Sequence, residues 1–160
     1  MNGIEVPLEL CRECGQCCHF IAPRHLSPLA SRGGEPLPEE LLSRSGHPSL
    51  VSDSKNGTPV WTCSLFDRPS GRCLDHPGHP LDCRIYPLVL FFDDRARIGL
   101  DLSCPFTAMK PRSWFLEKAG ELAQTFWSDL STENREILLP LLKEDAGPSV
   151  DPLLDLATGP

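Results

Sequence analysis

Cys11-Arg12-Glu13-Cys14-Gly15-Gln16-Cys17-Cys18 is the densest chemical feature of this chain, and its reading decides what kind of fold the remainder builds. Half of the eight cysteines of a 160-residue protein fall in this one run. A thiolate-ligated metal needs donors placed by short loops rather than by packing, and Cys-x2-Cys-x2-Cys-Cys supplies them within two turns of chain. Reduced, buried cysteines acting as small hydrophobes account for isolated positions but not for this density. Cys63, Cys73 and Cys83 follow at intervals of ten, and Cys104 closes the set.

Outward from the run, residues 21–57 are rich in Ser, Pro and Gly and read as a decorated loop, with Pro38-Glu39-Glu40-Leu41-Leu42 suiting a short helix. Asn56-Gly57 is a hairpin-turn signal, and Pro59-Val60-Trp61-Thr62 reads as a strand delivering Cys63. Leu88 to Phe92, Asp93-Asp94-Arg95 and the alternating Ile98, Leu100 and Leu102 form the clearest hairpin, its second strand running to Cys104-Pro105. After Pro111, Phe115, Ala119, Leu122 and Phe126 fall on one helical face, with Ser113 as N-cap, and this helix is expected to cover the hairpin. A shorter helix over 131–139 is predicted, stopped by Pro140.

The expected fold class is therefore α+β: a small, irregular, metal-organised domain with a β-hairpin and C-terminal helices. Its expected extent is 1–143, a single cysteine-cluster metal-binding domain, with 144–160 as a mobile tail on account of its Gly and Pro content.

Composition excludes several functions. With 15 basic against 22 acidic side chains and a formal charge of -7, the surface does not suit phosphate neutralisation, so no nucleic-acid partner is expected. The longest apolar stretches fall far short of the ~18 residues that span a bilayer, so no membrane partner is expected either. Residues 1–7 lack a basic and then hydrophobic leader, from which a reducing, cytoplasmic location is expected. In that compartment eight cysteines read as metal ligands or redox groups before disulfides. No Gly-x-Ser-x-Gly, Walker loop, His-Glu-x2-His or dinucleotide fingerprint occurs, so no independent catalytic site is visible and an enzymatic role is left open.

The metal itself has two readings. Cys11, Cys14 and Cys17 with the remote Cys104-Pro105 fit an iron–sulfur pattern, whereas two tetrahedral zinc ions would consume all eight thiolates. Either centre is anionic, and Arg12, Arg72 and Arg84 each adjoin a cysteine, Arg84 being the best cofactor-contacting cation. His19, His76 and His79 lie near the cysteines, but the thiolate count already suffices.

Cys11-x2-Cys14-x2-Cys17-Cys18, the middle Cys63 and Cys73, Cys83-Arg84-x-Tyr86-Pro87 and Cys104-Pro105 together resemble the YkgJ-type cysteine-cluster family, the CxxCxxCC zinc- or iron-chelating domain, over residues 11–105. The resemblance implies a zinc or iron–sulfur centre held by Cys11, Cys14, Cys17, Cys18, Cys63, Cys73, Cys83 and Cys104. It also implies an oxidoreductase label for some members. This chain departs by having His79 where the family commonly has Arg, and Phe106 after the final Cys-Pro. The leading expectation is a metal- or iron–sulfur-binding protein of redox or electron-transfer type, meeting a protein or redox partner. The alternative is a noncatalytic zinc-stabilised interaction module.

Overall fold

The computed structural model describes residues 3–14, 19–20, 50–55, 58–63, 65–74, 81–133, 135–136, 139 and 149–156. The chain forms two compact units, one of Glu5–Arg84 and one of Met1–Ile4 with Ile85–Pro160. Helices and antiparallel sheets coexist, so the fold is α+β as expected. No described helix is long and apolar enough to cross a membrane.

In the later unit the expected hairpin is present as β6 and β7 once the earlier elements are counted, namely α1 (Leu8–Cys14), β1 (His19–Phe20), β2 (Leu50–Lys55), β3 (Thr58–Cys63), β4 (Phe66–Asp67), β5 (Arg72–Cys73) and α2 (Leu81–Ile85). Strand β6 (Leu88–Phe92) pairs with β7 (Ala96–Asp101) in the register Leu88↔Leu100, Leu90↔Ile98 and Phe92↔Ala96. Period-two alternation sends Leu88, Leu90, Ala96, Ile98 and Leu100 to one buried face. On the other face Phe91 lies over Gly99, where an added Cβ would sit 2.8 Å from the Phe91 ring and overlap Val150. Strand β7 ends at Asp101, short of Cys104; Asp101 instead gathers donors, from Tyr86 Oη at 3.1 Å, Ser149 Oγ at 3.0 Å and Ser103 N at 3.0 Å.

The third strand of this sheet, β8 (Val150–Asp155), corrects the expectation of a mobile tail. It pairs antiparallel with β7 through Arg97↔Asp155 and Asp101↔Val150, with a register shift between Ile98 and Gly99. Pro152 is tolerated because β8 is an edge strand, where a missing N–H breaks no second ladder. Arg112 Nε donates to Asp151 Oδ2 at 3.0 Å and Arg97 Nε to Asp155 Oδ1 at 2.9 Å, so the tail's acids are answered by cations elsewhere in the unit. Leu156, just beyond the strand, is buried.

A 3₁₀ turn over Pro105–Met109 leads to α3 (Arg112–Leu122), which packs against β7 and β8 through buried Phe115, Ala119 and Leu122. The helix covers the hairpin as expected. Its N-cap is Pro111, not Ser113: proline's fixed φ, here -68°, already presets the start, and Ser113 falls inside the first turn. Beyond Leu122 one π turn, Ala123–Trp127, inserts an extra residue, closed by Ser128 N on the Ala123 carbonyl at 3.0 Å. The apolar stripe therefore advances by one position, so Trp127 is buried and Phe126 only half-buried. Residues described in 131–139 include a helical bond from Arg135 N to the Ser131 carbonyl at 3.0 Å.

The earlier unit contains a sheet of order β1-β3-β2 and the β4–β5 hairpin. Strand β3 is where the sequence placed it. Strand β2 corrects the last part of the reading of 21–57 as a decorated loop: it pairs along its whole length with β3, from Leu50↔Cys63 to Lys55↔Thr58. Residues 56–57 of the predicted turn and the expected helix at 38–42 lie outside the described residues.

Candidate metal centre

Helix α1 replaces the expected loop at the start of the cysteine run, and it carries Cys11 and Cys14 three residues apart, neighbours on one face. Cys11 N donates to the Pro7 carbonyl at 3.2 Å, which opens the helix behind a proline. Both cysteines are half-buried. Cys17 and Cys18 lie outside the described residues, but His19, next after Cys18, pairs with Thr62, next before Cys63. Cys63 ends β3 and is half-buried.

Cys73 ends β5, half-buried and opposite Phe66. The tip of this hairpin is tightly closed: Gly71 N donates to the Asp67 carbonyl at 2.8 Å and Ser70 N to Asp67 Oδ2 at 3.2 Å, while Leu74 N donates to the Leu65 carbonyl at 2.8 Å below it. Gly71 has φ +64°, a conformation that favours glycine. Against this tip rests α1. Arg12 Nε donates to the Ser70 carbonyl at 3.0 Å, so its bond goes to the backbone of a neighbouring hairpin. Sequence adjacency to Cys11 had suggested a counter-charge; the hairpin tip was missed, although Asp67-Arg68-Pro69-Ser70-Gly71 carries turn residues throughout.

Cys83 lies in α2 and is exposed. Arg84 beside it is half-buried, and its buried Nε has no hydrogen-bond partner among the described residues, an uncommon state for a guanidinium. Arg72 is exposed on β5. Cys104 belongs to the later unit and is buried; its N donates to the Asp101 carbonyl at 3.2 Å and its own carbonyl accepts from Thr107 N and Oγ1 at 3.0 and 2.8 Å. His76 and His79 lie outside the described residues. Among the described residues no three Cys, His, Asp or Glu side chains stand together as ligands for one ion.

The donor chemistry fits a soft or borderline cation. Thiolates are the ligands that zinc and iron–sulfur centres take, and an Arg84 donor with no partner among the described residues suits an anionic thiolate assembly nearby in sequence. The chain is thiol-rich, and most of its described cysteines ride on short elements, α1, β3, β5 and α2.

The chain belongs to the CxxCxxCC family, whose model, described as "Putative zinc- or iron-chelating domain", matches residues 10–105. The cofactor class is accordingly zinc or iron, in agreement with the thiolate reading. No curated protein and no solved structure matches the chain.

Proposed function

We propose that this protein holds zinc or an iron–sulfur cluster through Cys11, Cys14, Cys17, Cys18, Cys63, Cys73, Cys83 and Cys104, with the iron–sulfur form serving electron transfer to a protein partner in the reducing cytoplasm. One observation carries this reading furthest. Within Glu5–Arg84 the hairpin that ends in Cys73 is bound to the helix that carries Cys11 and Cys14, Arg12 Nε donating to the Ser70 carbonyl at 3.0 Å. Thiolate–metal bonds across such short elements supply folding free energy.

Two pairs of cysteine-bearing segments meet within that unit. Arg12 stands between Cys11 and Cys14 and rests on the hairpin of Cys73; the backbone neighbours of Cys18 and Cys63 are sheet partners. Cys17 and Cys18 complete the donor set that Cys11 and Cys14 begin, and Cys104 enters because it falls within the family span. Arg84 donates to the thiolate assembly, lowering the cost of its negative charge. When bound, an iron–sulfur cluster supplies one-electron chemistry; the protein's part is to set burial and hydrogen bonds to sulfur.

Leu74, directly after Cys73, is 70% exposed and favours a second reading, a noncatalytic zinc-stabilised module that meets a protein partner. Anaerobic purification with iron, zinc and acid-labile sulfide analysis separates the two. Iron and sulfide with visible charge-transfer absorption support the redox reading; zinc without sulfide supports the interaction module; neither metal, after reconstitution under reducing conditions, refutes both.

A further inference from the structure

Resting on the thiolate reading above, we propose that Arg12 is a positioning residue for the metal ligands, acting through the hydrogen bond of its Nε and not through its charge. Together with Gly71 it sets the spacing between Cys11 and Cys14 on α1 and Cys73 on β5.

The contact is made from both sides. Arg12 Nε donates to the Ser70 carbonyl at 3.0 Å. A Cβ built on Gly71 would lie 3.4 Å from the Arg12 carbonyl oxygen, 3.5 Å from its Cα and 3.6 Å from its Cβ, so the backbone of α1 passes within van der Waals reach of position 71. The surface it rests on is held by Asp67, whose carboxylate accepts from both Ser70 N and Ser70 Oγ and whose carbonyl accepts from Gly71 N. On one side of this contact Cys11 is the next residue and Cys14 two away; on the other, Cys73 is two residues from Gly71. A shift of the latch is therefore passed to sulfur positions with little chain in between to absorb it. Metal affinity is sensitive to such a shift because coordination demands fixed sulfur positions, and residues that are not ligands themselves hold the ligands there.

The position of the donor atom gives a discriminating variant. Nε of Arg is the fourth side-chain atom from Cα, and the amide nitrogen of Gln is also fourth. Arg12→Gln thus keeps an N–H at the same reach and removes the charge, whereas Arg12→Ala removes both.

The experiment is an anaerobic titration of the full chain with Co²⁺, reading thiolate-to-cobalt absorption, followed by displacement with Zn²⁺ to obtain affinity. Arg12→Ala is expected to bind the same number of equivalents with about three- to tenfold weaker affinity, the scale of one lost hydrogen bond, and Arg12→Gln to recover to within about twofold. Gly71→Ala, strained by its positive φ, is expected to shift the hairpin tip that presents the Ser70 carbonyl and so to weaken binding as well, and its effect should not multiply with that of Arg12→Ala because both act on one hydrogen bond. Wild-type affinity in Arg12→Ala overturns the proposal, as does Arg12→Gln binding as weakly as Arg12→Ala, which would make charge the working property. Should Arg12→Ala not fold, Gly71→Ala and Arg12→Gln decide alone, and wild-type affinity in Gly71→Ala overturns the spacing role. Wild-type protein that takes up neither metal is a different result and refutes the thiolate reading itself.

Discussion

His19 lies opposite Thr62 in the first antiparallel sheet, so the residue after Cys18 and the residue before Cys63 are backbone partners. Paired Cα atoms in such a ladder stand about 4.5–5.5 Å apart, close enough for residues one step along each strand to share a ligand cage. Cys18→Ser and Cys63→Ser are therefore expected to lose the same metal, and the double variant to lose no more than either single one. Metal-to-protein ratios after desalting check this; independent, summed losses would place the two thiols in separate sites.

Removing the metal is expected to act unevenly along the chain. Hydrogen exchange of reduced protein with and without a chelator should show β3 losing protection while β6 and β7 keep theirs, because the later sheet rests on Leu88, Leu90, Ile98, Leu100 and Phe115 rather than on thiolates. Unchanged exchange in β3 after verified metal removal would deny the metal its folding role.

Leu156→Ala is expected to destabilise the protein by about 2–5 kcal/mol, the usual cost of truncating a buried leucine. Leu156 follows β8, is 5% exposed and donates its N–H to the Ala96 carbonyl at 2.8 Å. Equilibrium denaturation measures the loss; a mobile C-terminus would give none.

The hairpin turn carries a pH signature. The Asp94 carboxyl is held well below the ordinary carboxylate range of 3.8, chiefly by the hydrogen bond from the Arg95 side chain and then by Asp93. Because its folded pKa is depressed, Asp94 contributes stability that is present above 3.8 and is lost as pH falls through the lower folded value. The stability difference between wild type and Asp94→Asn should accordingly be small, present at neutral pH and closing below about pH 4. A difference that widens in acid would reverse the sign of this interaction.

Much of the later unit was legible because its signals are local. Alternation marks β6 and β7, Asp93-Asp94-Arg95 marks their turn, and the helical stripe holds through Leu122 until the π turn displaces it. β8 was hidden because Gly147, Pro148 and Pro152 outweigh Leu153 and Leu154 in composition, while the arginines that answer Asp151 and Asp155 stand 39 to 60 residues away. β2, with Ser52, Asp53, Ser54 and Lys55, has too little apolar alternation to declare itself, and only pairing with β3 makes it a strand. The donor types of the candidate site could be read directly, since few residue patterns other than metal ligation pack thiols so densely. The hydrogen bond of Arg12 could not, because its partner is a carbonyl 58 residues along the chain and adjacency to cysteine points elsewhere.

X-ray absorption at the zinc or iron edge of the metal-loaded protein measures the identity of the atoms bound to the metal. A first shell of sulfur at about 2.3 Å is expected for thiolate ligation of zinc. A shell of nitrogen and oxygen alone, at about 2.0–2.2 Å, would contradict it and leave the cysteines without the role proposed for them.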